Sequence, residues 1–222
     1  MTQVPEYELT YFNGRGIAET TRLLFALAEK EYVDTRFPIK VVDWKSYKFE
    51  RKEFDQAKSS GQLKLSLGKV PFLTVGGSTV IPQSKAIERF LARKFSLMGC
   101  SETEAALIDA FTEHVRDVKT AYQPVRKAVG EEKAKQLEIF FRDTLPERFR
   151  TMAAAREPGK WIVGDALSLA DASFYELVEF FDDQPRVREA LSVSPDLERI
   201  WWNFKHLKLI EQWEEDRPET PF

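Results

Sequence analysis

The sequence predicts an α/β N-terminal domain of βαβαββα order over residues 1–96 and an all-α helical domain over residues 102–222. Three observations predict it. Strand-like runs alternate with helical periodicity as far as Phe95, the period switches abruptly at Gln83, and no convincing strand run follows Phe95.

Tyr7 to Phe12 reads as an opening strand, with Leu9 and Tyr11 on one face and Thr10 and Phe12 on the other. Asn13-Gly14-Arg15-Gly16 is a turn. From Ile17 to Lys30 the period is helical: Ala18, Thr21, Leu24, Phe25 and Ala28 line one face, and Glu19 lies near the favourable N-terminal end. A strand at Tyr32–Phe37 stops before Pro38. Tyr47 to Lys58 is rich in Lys and Glu, with Phe49 and Phe54 as anchors, and reads as a surface helix ended by Ser59-Ser60-Gly61. Phe72 to Val75, the turn Gly76-Gly77 and Thr79 to Ile81 form a hairpin. Beyond it Ile87, Phe90, Leu91 and Phe95 fall on one helical face, while Lys85, Glu88, Arg89 and Arg93 are expected to face water. This order of elements is the plan of a thioredoxin-like domain.

A helix that begins so sharply after a strand has unpartnered N–H groups at the positive end of its dipole, and an anion is expected there. Gln83 and Ser84 stand at that entrance with donors and acceptors for a small carboxylate. Taken alone, Ser84 reads as an N-cap. Pro71 cannot donate to a strand ladder, so Val70-Pro71 reads as a turn, compatible with a cis bond, that leaves the Val70 backbone to a ligand.

Met98 to Ser101 reads as a linker, and Ser101-x-x-Glu104 as a capping box opening a long helix to about Ala128. Leu137, Phe140, Phe141, Leu145, Phe149 and Met152 make a broad apolar stripe within Glu131–Glu157, where Pro146 predicts a kink. Ser168 and Asp171 are spaced to cap another helix reciprocally, with Leu167 stapling onto Ala172. A last helix carries Trp201-Trp202 and leads to the tail Arg217-Pro218-Glu219-Thr220-Pro221-Phe222.

Composition narrows the function classes. The 222 residues are 43% hydrophobic and 31% charged with a net charge of −3, enough for a sizeable core and without the clustered Lys and Arg that nucleic acid requires. The start MTQVPEYE lacks the basic and apolar regions of a signal peptide, and no run of apolar residues is long enough to span a membrane. One cysteine, Cys100, permits no internal disulfide. A soluble, cytoplasmic protein without a metal, a membrane or a nucleic-acid partner is expected.

Together, the segment LTYFNGRGIAETTRLLFALAEK, the Val-Pro loop, the Gln-Ser helix start, the Ser-x-x-Asp cap and the terminal R-P-E-T-P-F resemble the cytosolic glutathione transferases over nearly the whole chain, and the sigma class most. The resemblance implies that Tyr11 contacts the sulfur of glutathione, that Lys69 and Val70 border the loop pairing with its cysteinyl unit, and that Gln83 and Ser84 hold its γ-glutamyl end. Asp117 occupies the place of the acid that reaches the glutathione of the partner subunit in a homodimer. Without the resemblance, a strand tyrosine is core packing and Asp117 a solvated helix residue.

The chemistry needs such a donor. A free thiol with a pKa near 8.5 is only about 3% thiolate at neutral pH, and lowering that pKa by about two units takes about 2.7 kcal/mol. One charge-assisted hydrogen bond helped by a helix N-terminus reaches that size.

For the glycyl carboxylate the family's W-x-x-x-K is matched by Trp44 and Lys48, but the stretch from Trp44 to Gly68 is long and Phe54-x-x-x-Lys58 is a second match. Trp44 is favoured for the indole donor and Lys58 for the cation. Ile17 replaces an arginine of vertebrate sigma-like enzymes, and Arg15 reads as a structural ion-pair partner. The resemblance implies conjugation of the glutathione thiolate to a hydrophobic, soft electrophile, in a pocket near Phe12, Gly14, Val118, Tyr122 and Phe222. The alternatives are a glutathione-dependent isomerase or peroxidase acting on lipid peroxides such as prostaglandin precursors, and a non-catalytic, crystallin-like or ligand-binding protein.

Overall fold

The computed structural model describes residues 4–43 and 48–220. It divides into two compact units, Met1–Phe95 with Gln212–Phe222, and Ser96–Glu211.

In the first unit β1 (Tyr7–Phe12), α1 (Glu19–Leu27) and β2 (Val33–Phe37) are followed by β3 (Lys40–Asp43), β4 (Lys48–Glu50), α2 (Lys52–Ser59), β5 (Phe72–Val75), β6 (Thr79–Pro82) and α3 (Ser84–Lys94). The main sheet has the order β2-β1-β5-β6, with β1 parallel to β2 and antiparallel to β5, and β5 antiparallel to β6. Parallel neighbours need a crossover, and α1 supplies it. Tyr7 of β1 packs on Phe25 of α1 at 5.6 Å and on Phe95, just past α3, at 6.1 Å. Phe12 and Phe37, opposite each other on β1 and β2, meet Phe54 of α2 at 5.0 and 5.8 Å. Together these contacts make the thioredoxin-like architecture expected from the element order.

Two expectations are corrected. The helix read from Tyr47 begins at Lys52, and Phe49 lies in β4, which pairs with β3 as a separate antiparallel ladder; Tyr47 lies outside the described residues. The two strands are only four and three residues long and none of their residues is buried, so no buried face writes a period of two into the sequence. Glu88, expected to face water, is 1% exposed and accepts from Lys85 Nζ at 2.7 Å. A lysine one turn earlier lets the carboxylate be buried with a charged partner.

The second unit is helical, and among the described residues no strand follows α3. It holds α4 (Glu102–Lys127), α5 (Gly130–Ile139), α6 (Leu145–Ala155), α7 (Leu169–Glu179), α8 (Gln184–Leu191) and α9 (Pro195–Lys205); α10 (Lys208–Asp216) runs from it into the segment that joins the first unit. Ser101 Oγ accepts from Glu104 N at 3.1 Å, one half of the capping box expected for α4, while the Glu104 side chain accepts from Cys100 N at 2.5 Å instead of from Ser101 N. Just before Pro146 the chain passes from α5 to α6 through a π-helical turn, Phe140–Thr144. A proline four residues on has no N–H for the carbonyl of Arg142 and crowds it, and a widened turn relieves both problems. α7 is the central helix, buried continuously from Leu169 to Val178. Its capping box joins Ser168 and Asp171, and Asp171 also accepts from Ile162 N at 2.8 Å.

Candidate functional site

Sheet register gathers the site. Thr10 is opposite Phe72, and Phe72 is opposite Pro82. Tyr11 follows Thr10, Val70-Pro71 precedes Phe72, and Gln83-Ser84 follows Pro82. Three segments far apart in the chain therefore reach the same end of the same sheet.

Tyr11 is 8% exposed, and its ring meets Phe12 edge-on at 5.4 Å. Its hydroxyl lies against the turn that follows β1: a Cβ placed on Gly16, whose φ is +44°, would fall 2.6 Å from Tyr11 Oη. The Val70-Pro71 bond is cis. Val70 packs beside Phe12, Phe37 and Phe72 around Phe54, so α2 is anchored directly beneath the loop. Lys69 is exposed, with its N–H on the carbonyl of Ser66 at 3.2 Å. Lys58, exposed on the last turn of α2, runs its stem past Gly68: the Cβ position of Gly68 is 3.6 Å from Lys58 Cε. The structure thus brings Lys58 to the base of the Lys69-Val70 loop.

Gln83 occupies the N-cap position of α3 with φ 74° and ψ 118°, and its side chain makes no capping bond. Its carbonyl accepts from the N–H groups of Ala86 and Ile87, both at 3.0 Å. A left-handed backbone on a residue other than glycine costs about 1–3 kcal/mol and is concentrated at binding sites. Ser84, half-buried, opens the helix at its electropositive end.

Trp44 and Phe222 lie outside the described residues. Lys48 starts β4, opposite Asp43. Asp117 is exposed on α4 of the second unit. Val118 is 1% exposed, and Tyr122 packs 4.9 Å from both Phe140 and Phe181. Ile17 is 52% exposed beside the turn.

Sequence reasoning missed Arg22. The ion-pair role read for Arg15 is carried here by Arg22, whose side chain is fully buried. Its Nη1 donates to the carbonyls of Gly14 at 2.8 Å and Arg15 at 3.4 Å and to Glu19 Oε2 at 3.2 Å, while Nε donates to Asp34 Oδ2 at 3.1 Å. Arg36 also binds Asp34, at 2.6 Å, and reaches Asn13 Oδ1 at 3.3 Å. A signal existed: Arg22 is four residues from Ala18 and three from Phe25, which puts it on the apolar face of α1. Among the described residues no group of three or more His, Cys, Asp or Glu could hold a metal ion.

A thioredoxin-like sheet with a tyrosine, a Val-Pro loop and a helix mouth at one end, in a chain that also carries a helical unit, defines a small class of proteins. Residues 7–93 match the N-terminal domain of glutathione S-transferases, and residues 116–217 match their C-terminal domain. The chain is 31% identical to hematopoietic prostaglandin D synthase of Gallus gallus, over 98% of this chain and 99% of the relative. It is 30% identical to S-crystallin SL11 of Nototodarus sloanii, over 79% and 80% respectively. Monomeric Na-GST-3, a glutathione S-transferase of the hookworm Necator americanus, superposes with a TM-score of 0.80 at 30% identity, covering 98% of this chain and all of that one. The chain belongs to the glutathione S-transferase family.

Proposed function

We propose that this protein is a sigma-like glutathione transferase in which Tyr11 holds the glutathione sulfur as a thiolate for attack on a soft, hydrophobic electrophile. The observation that carries the reading is the row Thr10, Phe72, Pro82, which lines up Tyr11, the Val70 backbone and the mouth of α3 at one sheet end. A tripeptide with a thiol between two carboxylate ends fits that row. The Tyr11 hydroxyl donates to the sulfur, Lys69 and Val70 pair with the central peptide, and Gln83 and Ser84 with the α3 N-terminus take the γ-glutamyl carboxylate. Lys58 serves the glycyl carboxylate, with Trp44 as the indole donor. Tyr11 acts by stabilising charge on the sulfur and forms no covalent bond.

We also propose a cytoplasmic homodimer in which Asp117 reaches the glutathione of the partner subunit and the helical domain contributes the electrophile site. The exposure of Asp117 supports its part in this. No described helix is long and apolar enough to cross a membrane. The one solved relative named above as monomeric makes sedimentation of this chain, with and without Asp117→Ala, the direct test of the dimer.

The test of the main reading is Tyr11→Phe, assayed with glutathione and an aryl halide across pH. The expected result is a fall of at least about tenfold in kcat/KM, equal to about 1.4 kcal/mol of transition-state stabilisation. Unchanged turnover would remove Tyr11 from the chemistry. The prostaglandin synthase relative favours a second reading, isomerisation of a lipid peroxide with glutathione; a screen of halides, enals and hydroperoxides separates the two. Glutathione binding without turnover on any of them would select the non-catalytic reading that the S-crystallin relative suggests.

A further inference from the structure

We infer that, given the role of Tyr11 proposed above, Trp213 and Arg217 are positioning residues for it: through Glu19 and Arg22 they fix the turn against which the Tyr11 hydroxyl rests. The carboxylate of Glu19 is divided between two tasks. Oε1 accepts from Trp213 Nε1 at 3.0 Å and from Arg217 Nη1 at 3.2 Å, while Oε2 accepts from Arg22 Nη1 at 3.2 Å. The two tail donors therefore set the rotation of the carboxylate, and that rotation aims Oε2 at Arg22. From the same nitrogen Arg22 donates to the carbonyls of Gly14 and Arg15, and its Nε side is held by Asp34. The turn so gripped contains Gly16, whose Cβ position is 2.6 Å from Tyr11 Oη.

Burial makes the relay stiff. Glu19 is 5% exposed and Arg22 fully buried, so water cannot replace a lost partner at little cost. Without Trp213 and Arg217, Glu19 keeps a single cation and is free to turn, Arg22 is held from the Asp34 side, and the carbonyls of the turn lose a fixed donor. The arginine of the terminal R-P-E-T-P-F, which the sequence leaves without a task, gains one here. All of these residues belong to the first unit.

The experiment is the pair Trp213→Phe with Arg217→Ala, made in the wild-type chain and in Tyr11→Phe, with kcat/KM for glutathione and an aryl halide followed against pH. In the wild-type chain the pair is expected to lower kcat/KM about tenfold and to move the alkaline rise upward by about half a pH unit, because that rise reports ionisation of the thiol. In Tyr11→Phe the same pair is expected to add no further displacement of the profile. Arg217→Lys, which keeps the charge, should restore part of the shift. A wild-type profile in the pair, whatever its melting temperature, would reduce the contact to a structural one and overturn the inference. An equal displacement in the Tyr11→Phe background would overturn it too, by showing an action independent of Tyr11. If Tyr11→Phe alone leaves the profile unmoved, it is the reading of Tyr11 that fails, and the inference falls with it.

Discussion

Gly16 and Tyr11 are in such close approach that no side chain fits between them: a Cβ on Gly16 would stand 2.6 Å from the phenolic oxygen. The glycine is also held at φ +44°, in the left-handed region. Gly16→Ala must therefore both strain the turn and push the hydroxyl away. A fall of about tenfold or more in kcat/KM is expected, with a loss of about 1 kcal/mol or more in stability. Steady-state kinetics beside a urea melt separate the two effects.

The two lysine candidates for the glycyl carboxylate now differ in position. Lys58 passes Gly68 at the base of the Val70 loop, whereas Lys48 starts β4 opposite Asp43. Lys58→Ala is expected to weaken glutathione binding by about 1 kcal/mol or more, roughly fivefold in Kd, as befits a charged hydrogen bond. Lys48→Ala should leave it within about twofold. Isothermal titration with glutathione reads both; the reverse order would move the assignment to Lys48.

Removing Arg22 leaves Glu19 and Asp34 without their shared cation and the Gly14 carbonyl without its donor. Breaking a buried ion pair from one side costs about 3–5 kcal/mol, so Arg22→Ala should unfold at markedly lower urea. Arg22→Lys keeps the charge but not the fork, and should recover only part of the loss.

Asp171 makes a prediction with an uncommon sign. Burial pushes its carboxyl up to about 6, outweighing the hydrogen bonds from Ile162 and Ser168 that pull the other way. A carboxyl held above its ordinary value of 3.8 binds its proton more tightly in the folded state. The stability contributed by that proton is complete below the ordinary value and is lost as pH rises through about 6. Relative to Asp171→Asn, the wild-type chain should therefore lose about 2 kcal/mol between about pH 4.5 and pH 7.5. Parallel urea melts at the two values measure the difference, and a constant gap would show that the carboxylate stays ionised in the folded chain.

Much of this architecture is local chemistry and can be read along the chain. The hairpin 72–82 announces itself through Gly76-Gly77, α4 through Ser101 and Glu104, and α7 through Ser168 and Asp171, because turns and caps are satisfied by residues a few positions apart. The β3 and β4 ladder is illegible for the opposite reason, since half-exposed charged strands leave no apolar period. Glu19 and Arg22 have the spacing of an ordinary helix ion pair, and only the place of Arg22 on the apolar face of α1 hints that the pair is buried. Their burial depends on Asp34, Trp213 and Arg217, the last two nearly 200 residues away.

The sequence by itself determined the order of the main-sheet strands, the change to helices after Phe95, the family resemblance and the residue types of the candidate site, all of which depend on spacing within short windows. Only the tertiary structure decided which residues share the sheet end beside Tyr11, and that a carboxylate on α1 binds the C-terminal segment. Strand register and buried ion pairs are long-range agreements among side chains, and their energies exist only once the chain has closed around them.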